Sequence, residues 1–543
     1  MKSLLLPLIV GALSFGIPGW GGAAPPPQPA SDALADAAIR LASPATQRQA
    51  VLALGQIADP AVEPLLRALK DGALYMTKAG IGVLGDDGNL KGVHGAPLTD
   101  PQGTPLAPAE GEEAIALEED LFGVVQGVLE RLQVFGPSPS GRKTAAFRLG
   151  TSQDATAIPI LRKARERETD REVRATLDEA LAKLGLVSPE PAMQIEAIRL
   201  LGQLHAESAL ARLRGLTSAS DTGVAQAAQE AVARIERFLL LRNAVGYIFN
   251  GVSLGAVLLL MSLGLAVTFG LMGIINMAHG EMLMIGSYAA YVVQNFFAAH
   301  LAAYQDYYFF VALPLSFLAA GLVGLALERG MIRFLYGRPL ETLILTWGVG
   351  MILQQGARLT FGDQTSVNSP TWFRGGLEIA SGLILPWSRL FIVGLAIVSL
   401  IALWLLLNRS RVGTRIRAVM QNRAMASCVG ISTRRIDAFT FAFGTALAGL
   451  AGCALALIGT VDPEVGKTYI VDSFMVVVLG GVGNLLGAVV ASMGIGLGNK
   501  LLEPSIGGTA AAIYAKVAIL AGVIWFLQWK PTGLFPAKGR GHD

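Results

Sequence analysis

Between residues 247 and 529 the chain carries eight apolar stretches, at 247–269, 282–298, 308–327, 342–359, 390–407, 438–459, 474–497 and 511–529. Each is near the ~20 residues that a tilted helix needs to cross a bilayer. Lipid offers the backbone no hydrogen-bond partner, so such stretches are expected as helices, which satisfy their own N–H and C=O groups. Composition agrees: 52% of the 543 residues are hydrophobic and 15% charged, against about 25% charged in ordinary soluble proteins.

The charges between the stretches set an expected orientation. Arg329, Arg333 and Arg338 crowd one connector, and Arg409, Arg411, Arg415, Arg417, Arg423, Arg434 and Arg435 crowd another. Both belong on the cytoplasmic side by the positive-inside rule. The connectors at 300–306 and 362–389 then lie outside, as does Asn243. A count of eight crossings would leave Lys530, Lys538 and Arg540 outside, against the rule. A re-entrant hairpin over residues 474–498, turning near 480–483, restores a cytoplasmic tail. The net charge of +3, with its basic residues beside apolar runs, gives no reason to expect nucleic acid.

Residues 269–288, FGLMGIINMAHGEMLMIGSY, place Asn276, His279 and Glu281 among apolar and glycine residues. Bare burial of these groups in hydrocarbon is costly, so they are expected to face protein, a cavity or an interface. Two glycine-broken apolar segments in one transporter-like chain point to a solute pathway. The expected pathway or gate residues are Asn250, Asn276, His279, Glu281, Thr346 and Gln354. The alternatives are helix-to-helix hydrogen bonding or a snorkelling turn for Asn276, His279 and Glu281, helix packing for Thr346 and Gln354 with Trp347, Gln355 and Arg358 nearby, and a capping role for Asn250. The tracing puts 270–280 near the cytoplasmic end, which favours a structural or gating role there over direct solute contact.

The phrase GIINMAHGEMLMIG, read with the preceding FNGVSLGAVLLLMSLGLAVTFG, resembles the first membrane section of the permease subunits of branched-chain amino acid and urea ABC importers. The resemblance covers residues 247–535. It implies a polytopic, all-α permease core with no enzyme activity, cofactor or metal of its own. The implied partners are a second homologous permease, two ATP-binding subunits, a periplasmic solute-binding protein and membrane lipid. Residues 413–432, GTRIRAVMQNRAMASCVGIS, read as one amphipathic cytoplasmic helix and resemble the coupling helix that docks on the ATPase, with Arg423, Ala424, Ala426 and Gly430 at its informative positions. The sequence Gly466-Lys467-Thr468 lacks the first glycine of a phosphate-binding loop and is expected in an external loop.

The amino-terminal half has a different character. Residues 1–24 have the form of a secretory signal, with Lys2, an apolar run and small residues before four prolines. Residues 25–240 read as a periplasmic helical-repeat domain of HEAT-like type, ahead of a membrane domain at 241–543. The recurring signature is Leu54-Gly55, Leu149-Gly150 and Leu201-Gly202, the first two followed four residues on by Asp59 and Asp154. Between residues 74 and 117 the helical pattern lapses into an excursion with a short hairpin. An extension of this kind before such a core resembles the urea-importer permease, which implies urea or a related short amide as cargo in the bacterial inner membrane. The alternatives are a branched-chain amino acid permease and a passive urea or amide channel.

Overall fold

The computed structural model describes residues 30–535 apart from 58–60, 78–79, 86–87, 94, 100–104, 109–113, 153 and 381, so the expected signal at 1–24 lies outside the described residues. The chain divides into two compact units, Met1–Leu239 and Leu240–Asp543. The all-α architecture expected is observed, with two small sheets added.

In the first unit the helices are α1 (Ala30–Ile39), α2 (Pro44–Gln56), α3 (Val62–Lys70), α4 (Phe122–Leu132), α5 (Pro139–Thr151), α6 (Ile158–Arg167), α7 (Arg171–Gly185), α8 (Pro191–Gln203), α9 (Leu210–Leu216) and the start of α10 (Thr222–Leu265). Asp170 starts α7 by accepting from the Glu172 and Val173 amides, and Val173, Leu177, Ala180 and Leu184 form its buried stripe. The recurring Leu-Gly pairs have a steric cause. A Cβ on Gly150 would lie 2.6 Å from Ala180 Cα, one on Gly202 would lie 3.0 Å from Ala231 Cβ, and one on Gly55 3.0 Å from Val128 Cγ2. Each glycine lets a later helix close on its own. Asp154 pairs with Arg131 at 2.6 Å and caps the turn Ala155–Ala157. The excursion holds three antiparallel strands rather than one hairpin: β1 (Leu74–Thr77), β2 (Gly80–Leu84) and β3 (Leu90–Gly92), with Leu74 opposite Val83 and Gly82 opposite Gly92.

The second unit takes the rest of α10, then α11 (His279–His300), α12 (Tyr308–Gly330), α13 (Pro339–Phe361), the hairpin β4 (Gly376–Ala380) and β5 (Leu383–Pro386), α14 (Trp387–Arg409), α15 (Arg411–Gln421), α16 (Arg423–Cys428), α17 (Thr433–Leu455), α18 (Val465–Gly480), α19 (Leu485–Ile506) and α20 (Ala511–Trp529). Among the described residues, seven helices are long and apolar enough to cross a membrane. The seven leave out α13 and α18; of the two expected spans concerned, 342–359 lies within one helix and 474–497 needs correction. The first is helical, but its buried stripe is Thr342, Thr346, Gly350 and Gln354. The second is split at residues 481–484: α18 has 16 residues, and α19 with 22 is a crossing helix in its own right. The turn falls where the hairpin was expected, yet the arms are two unequal helices.

α17 is the hub. From Gly444 to Leu455 nearly every residue is buried, against α11, α12 and the end of α10. Its small residues permit this: a Cβ on Gly444 would meet Gly264 and Thr268, and Ser287 Oγ donates to the Gly452 carbonyl at 2.8 Å. α12, α14 and α20 are mostly exposed by comparison, with apolar outer faces.

In the first unit, Arg142 grips Glu168 with two bonds of 2.7 and 3.0 Å, and the carboxylate also accepts from the Thr169 and Asp170 amides. The Arg142 bond, above all, holds the Glu168 carboxyl below the ordinary carboxylate range, against the opposing effect of burial. A lowered folded-state value means that this contribution is complete above the unfolded value of about 4.3 and is lost as pH falls through the folded value. Glu168→Gln is expected to cost roughly 1–2 kcal/mol at neutral pH and nothing at acid pH. Hydrogen exchange of α5 and α7 amides in the whole chain checks this, and an equal loss at both pH values would refute it.

Candidate functional site

α10 and α19 run antiparallel and fix a depth scale. A Cβ on Gly251 would lie 2.8 Å from Leu497 Cα, one on Gly255 3.0 Å from Met493 Sδ, and one on Gly270 2.7 Å from Gly483 Cα. The chain after α20 closes the same end: Leu534 N donates to Leu479 O at 2.8 Å and Phe535 N to Gly480 O at 3.2 Å. After a π-helical turn at Ala266–Leu271, residues 273–278 leave the helix and α11 begins at His279.

His279 Nε2 donates to the Met261 carbonyl at 3.2 Å. Met261 precedes Gly270 by nine residues, about 13 Å of helix rise. The expectation that residues 270–280 cluster at one end of the span is therefore corrected: Gly270 lies at the end that meets the 481–484 turn, while His279 is midway along the span. α18 reaches the same level from the opposite direction. Phe474 packs on Phe269 with ring centroids 5.4 Å apart, and a Cβ on Gly280 would lie 2.7 Å from the Gly466 carbonyl oxygen. Two helices thus start inside the bundle, amino end against amino end. The free N–H groups and positive ends of both dipoles converge there. Gly466-Lys467-Thr468 is the first turn of α18, which corrects its placement in an external loop.

α13 lays its polar stripe along this junction. Met277 N donates to Thr346 Oγ1 at 3.0 Å, Gln354 Nε2 donates to Glu281 Oε1 at 2.6 Å, and Gly350 leaves room for the Glu281 stem. Trp347 and Ile352, on the other side of α13, are 59% and 72% exposed. A helix with polar residues inside and apolar ones outside is suited to lipid or to another apolar subunit. One turn beyond Gln354, Arg358 joins Asp363 at 2.9 Å and Glu464, the residue before α18, at 3.1 Å.

Asn276, His279, Glu281, Thr346 and Gln354 therefore come together around the junction. Asn250 does not: it hydrogen-bonds Arg389 at the far end of the α10 span. Six buried side-chain polar atoms among the described residues have no protein partner, and four belong to one stretch: Asn276 Nδ2, His279 Nδ1, Glu281 Oε2 and Tyr288 Oη. Because His279 Nε2 donates to a carbonyl, its Nδ1 is the acceptor nitrogen. Sequence reading missed Tyr288, Glu464 and Gly466. The glycines Gly280 and Gly466 were visible, but nothing in the sequence pairs them.

The basic loop is two helices rather than one. Asn422 breaks it and caps α16 through the Met425 amide at 2.9 Å. Ala426 is buried, Ala424 exposed, and Gly430 has φ +83°, the left-handed conformation that stops the helix.

Residues 247–527 match the family described as branched-chain amino acid transport system, permease component. The chain belongs to this family of ABC transporter permeases. The high-affinity branched-chain amino acid permease LivH of Escherichia coli is 30% identical over 294 residues, covering 53% of this chain and 93% of that protein. BraD of Pseudomonas aeruginosa is 28% identical over 291 residues, 52% of this chain and 93% of that protein. The ribose permease RbsC of Escherichia coli is 26% identical over 221 residues, 39% and 66% of the two chains. Residues 46–71 match a HEAT-like repeat of the PBS lyase type. No solved structure matches.

The permease is thus a multi-pass inner-membrane transport subunit, not an enzyme, and works with ATPase and solute-binding partners.

Gln354→Leu removes the one hydrogen bond that the Glu281 carboxyl group receives among the described residues and is expected to cost about 1–3 kcal/mol. Trp347→Leu, on the exposed side of the same helix, should stay within about 0.5 kcal/mol. Thermal unfolding of the detergent-solubilised protein separates them, and equal stability of the two variants would contradict the placement.

Proposed function

We propose that the permease forms the translocation pathway of an ABC importer and that solute passes the junction where α11 and α18 begin. The observation that carries this reading is the concentration of four unpartnered buried polar atoms on residues 276–288, beside two helix amino ends. Buried polar groups without partners are costly, and a passing solute or water can satisfy them. Asn276, His279, Glu281, Thr346 and Gln354 line or gate this route; Asn250 holds the far end of its span.

Two cargoes have separate support. A branched-chain amino acid agrees with the relatives' names, and its carboxylate and ammonium suit helix amino ends and Glu281 respectively. Urea or a short amide suits unpartnered donors and acceptors without a charge. It also accounts for the first unit, which the relatives, matched over 93% of their own length by about half of this chain, leave uncovered. In this reading the first unit is a HEAT-like repeat domain in the periplasm. A second homologous permease, two ATP-binding subunits and a periplasmic binding protein complete the importer. α16 is its coupling element, with Met425 and Val429, 62% and 70% exposed, as the docking face.

ATP-dependent uptake of labelled urea and labelled leucine into vesicles, with the other subunits supplied, decides the cargo. Glu281→Gln at normal membrane abundance is expected to lower uptake about tenfold. Unchanged uptake would remove the junction from the pathway. Met425→Glu should abolish ATP-driven uptake while the permease stays folded; solute flux that persists without any ATPase would favour the passive channel. Gly430→Ala is a poor control for such tests, because its φ strains any side chain.

A further inference from the structure

Behind α16 lies a charged cluster that the docking face does not explain. Arg423, the first residue of α16, donates to Asp437 Oδ2 at 2.5 Å, and its guanidinium lies 4.4 Å from the centre of the Tyr336 ring. Tyr336 donates its hydroxyl to Glu328 Oε1 at 3.0 Å. Asp437 and Glu328 are each 3% exposed, whereas the Arg423 side chain is 46% exposed and approaches from outside. The carboxylates come from α17 and the end of α12; the guanidinium bonds the first and stacks on the tyrosine that bonds the second. Beneath them, the apolar side chains of Leu327, Ile332, Tyr336 and Phe441 pack with Met272 and Ile274. These last two residues flank Gly273, where the chain leaves the helix before α11.

Withdrawing Arg423 would leave a buried carboxylate without its partner, which is far costlier than parting two surface charges. α16 therefore cannot shift without taking the start of α17 with it. We propose that Arg423 is a positioning residue, a clamp that delivers displacement of α16 through Asp437 and Tyr336 to the broken segment at residues 272–278. The proposal rests on the reading of α16 as the coupling element. It assigns Arg423 an inward task instead of contact with the ATPase.

The test compares Arg423→Gln, Asp437→Asn, their double variant and Arg423→Lys in the assembled transporter, measuring membrane abundance, ATP hydrolysis and the labelled leucine or labelled urea moved per ATP. Arg423→Gln alone strands Asp437 and is expected to lower abundance. The double variant should recover abundance and ATP hydrolysis yet move about tenfold less solute per ATP. A residue that only stabilises the fold would recover all three together, and a wild-type ratio in the double variant overturns the clamp. Arg423→Lys keeps the charge paired but loses the planar stack on Tyr336. Its ratio should fall roughly threefold at full abundance, and an unchanged ratio counts against the proposal even if the double variant does not assemble. If the wild-type protein shows no ATP-dependent uptake with its partners, the importer reading fails and the clamp with it; the two failures are distinguishable because only the second leaves wild-type uptake intact.

Discussion

A backbone that leaves the helix inside an apolar phase must find partners for its N–H and C=O groups, and the second unit is arranged around meeting that demand. The break at residues 273–278 is answered from two sides and pinned just beyond its end. Met277 N reaches Thr346, Ala278 N reaches the Asn276 side chain, and the His279 ring bonds the Met261 carbonyl of α10. The second break, at 481–484, draws on the chain beyond α20. Polar residues that look like liabilities in an apolar sequence are thus largely the ones that make a broken helix tolerable. The polar atoms they leave without a protein partner, on Asn276, His279, Glu281 and Tyr288, are the ones on which the proposed pathway rests.

Close approach by small residues is the common construction rule of both units, applied for different reasons. In the first unit, Gly55, Gly150 and Gly202 let amphipathic helices stack in water, where burial of apolar stripes drives the packing. In the second, where lipid removes that drive, Gly264, Gly444 and Gly452 allow contacts tight enough for dispersion and hydrogen bonds to hold the helices. The same residue type therefore appears as a repeat signature in one half and as a break or seam in the other.

Much of this was legible in the chain itself. Apolar length and arginine placement identified a helical membrane core, and the Leu-Gly signature followed a real steric pattern. Asn276, His279, Glu281, Thr346 and Gln354 stood out because polar side chains are expensive in such surroundings. Depth was not legible: the place of His279 depends on where the chain re-enters the helix, which a hydropathy pattern cannot register. Nor was the meeting of Gly280 with Gly466, since residues so far apart in sequence share no local signal. Asn250 was singled out for polarity alone, and its bond to Arg389 is a tertiary fact. The break at Asn422 was missed because the surrounding residues are good helix formers, and only the capping bond to Met425 reveals it.

The hydrogen bonds of Leu534 and Phe535 to Leu479 and Gly480 bear on how the molecule is made. The ribosome delivers α18 and α19 well before the residues that cover the gap between them. Until α20 has inserted and the chain has turned back, two carbonyls and the Asn484 side chain at the membrane face wait for their partners. Completion of the turn at residues 481–484 is thereby tied to the last helix, so a nascent chain that stalls short of it presents an unfinished surface that quality-control proteases can recognise.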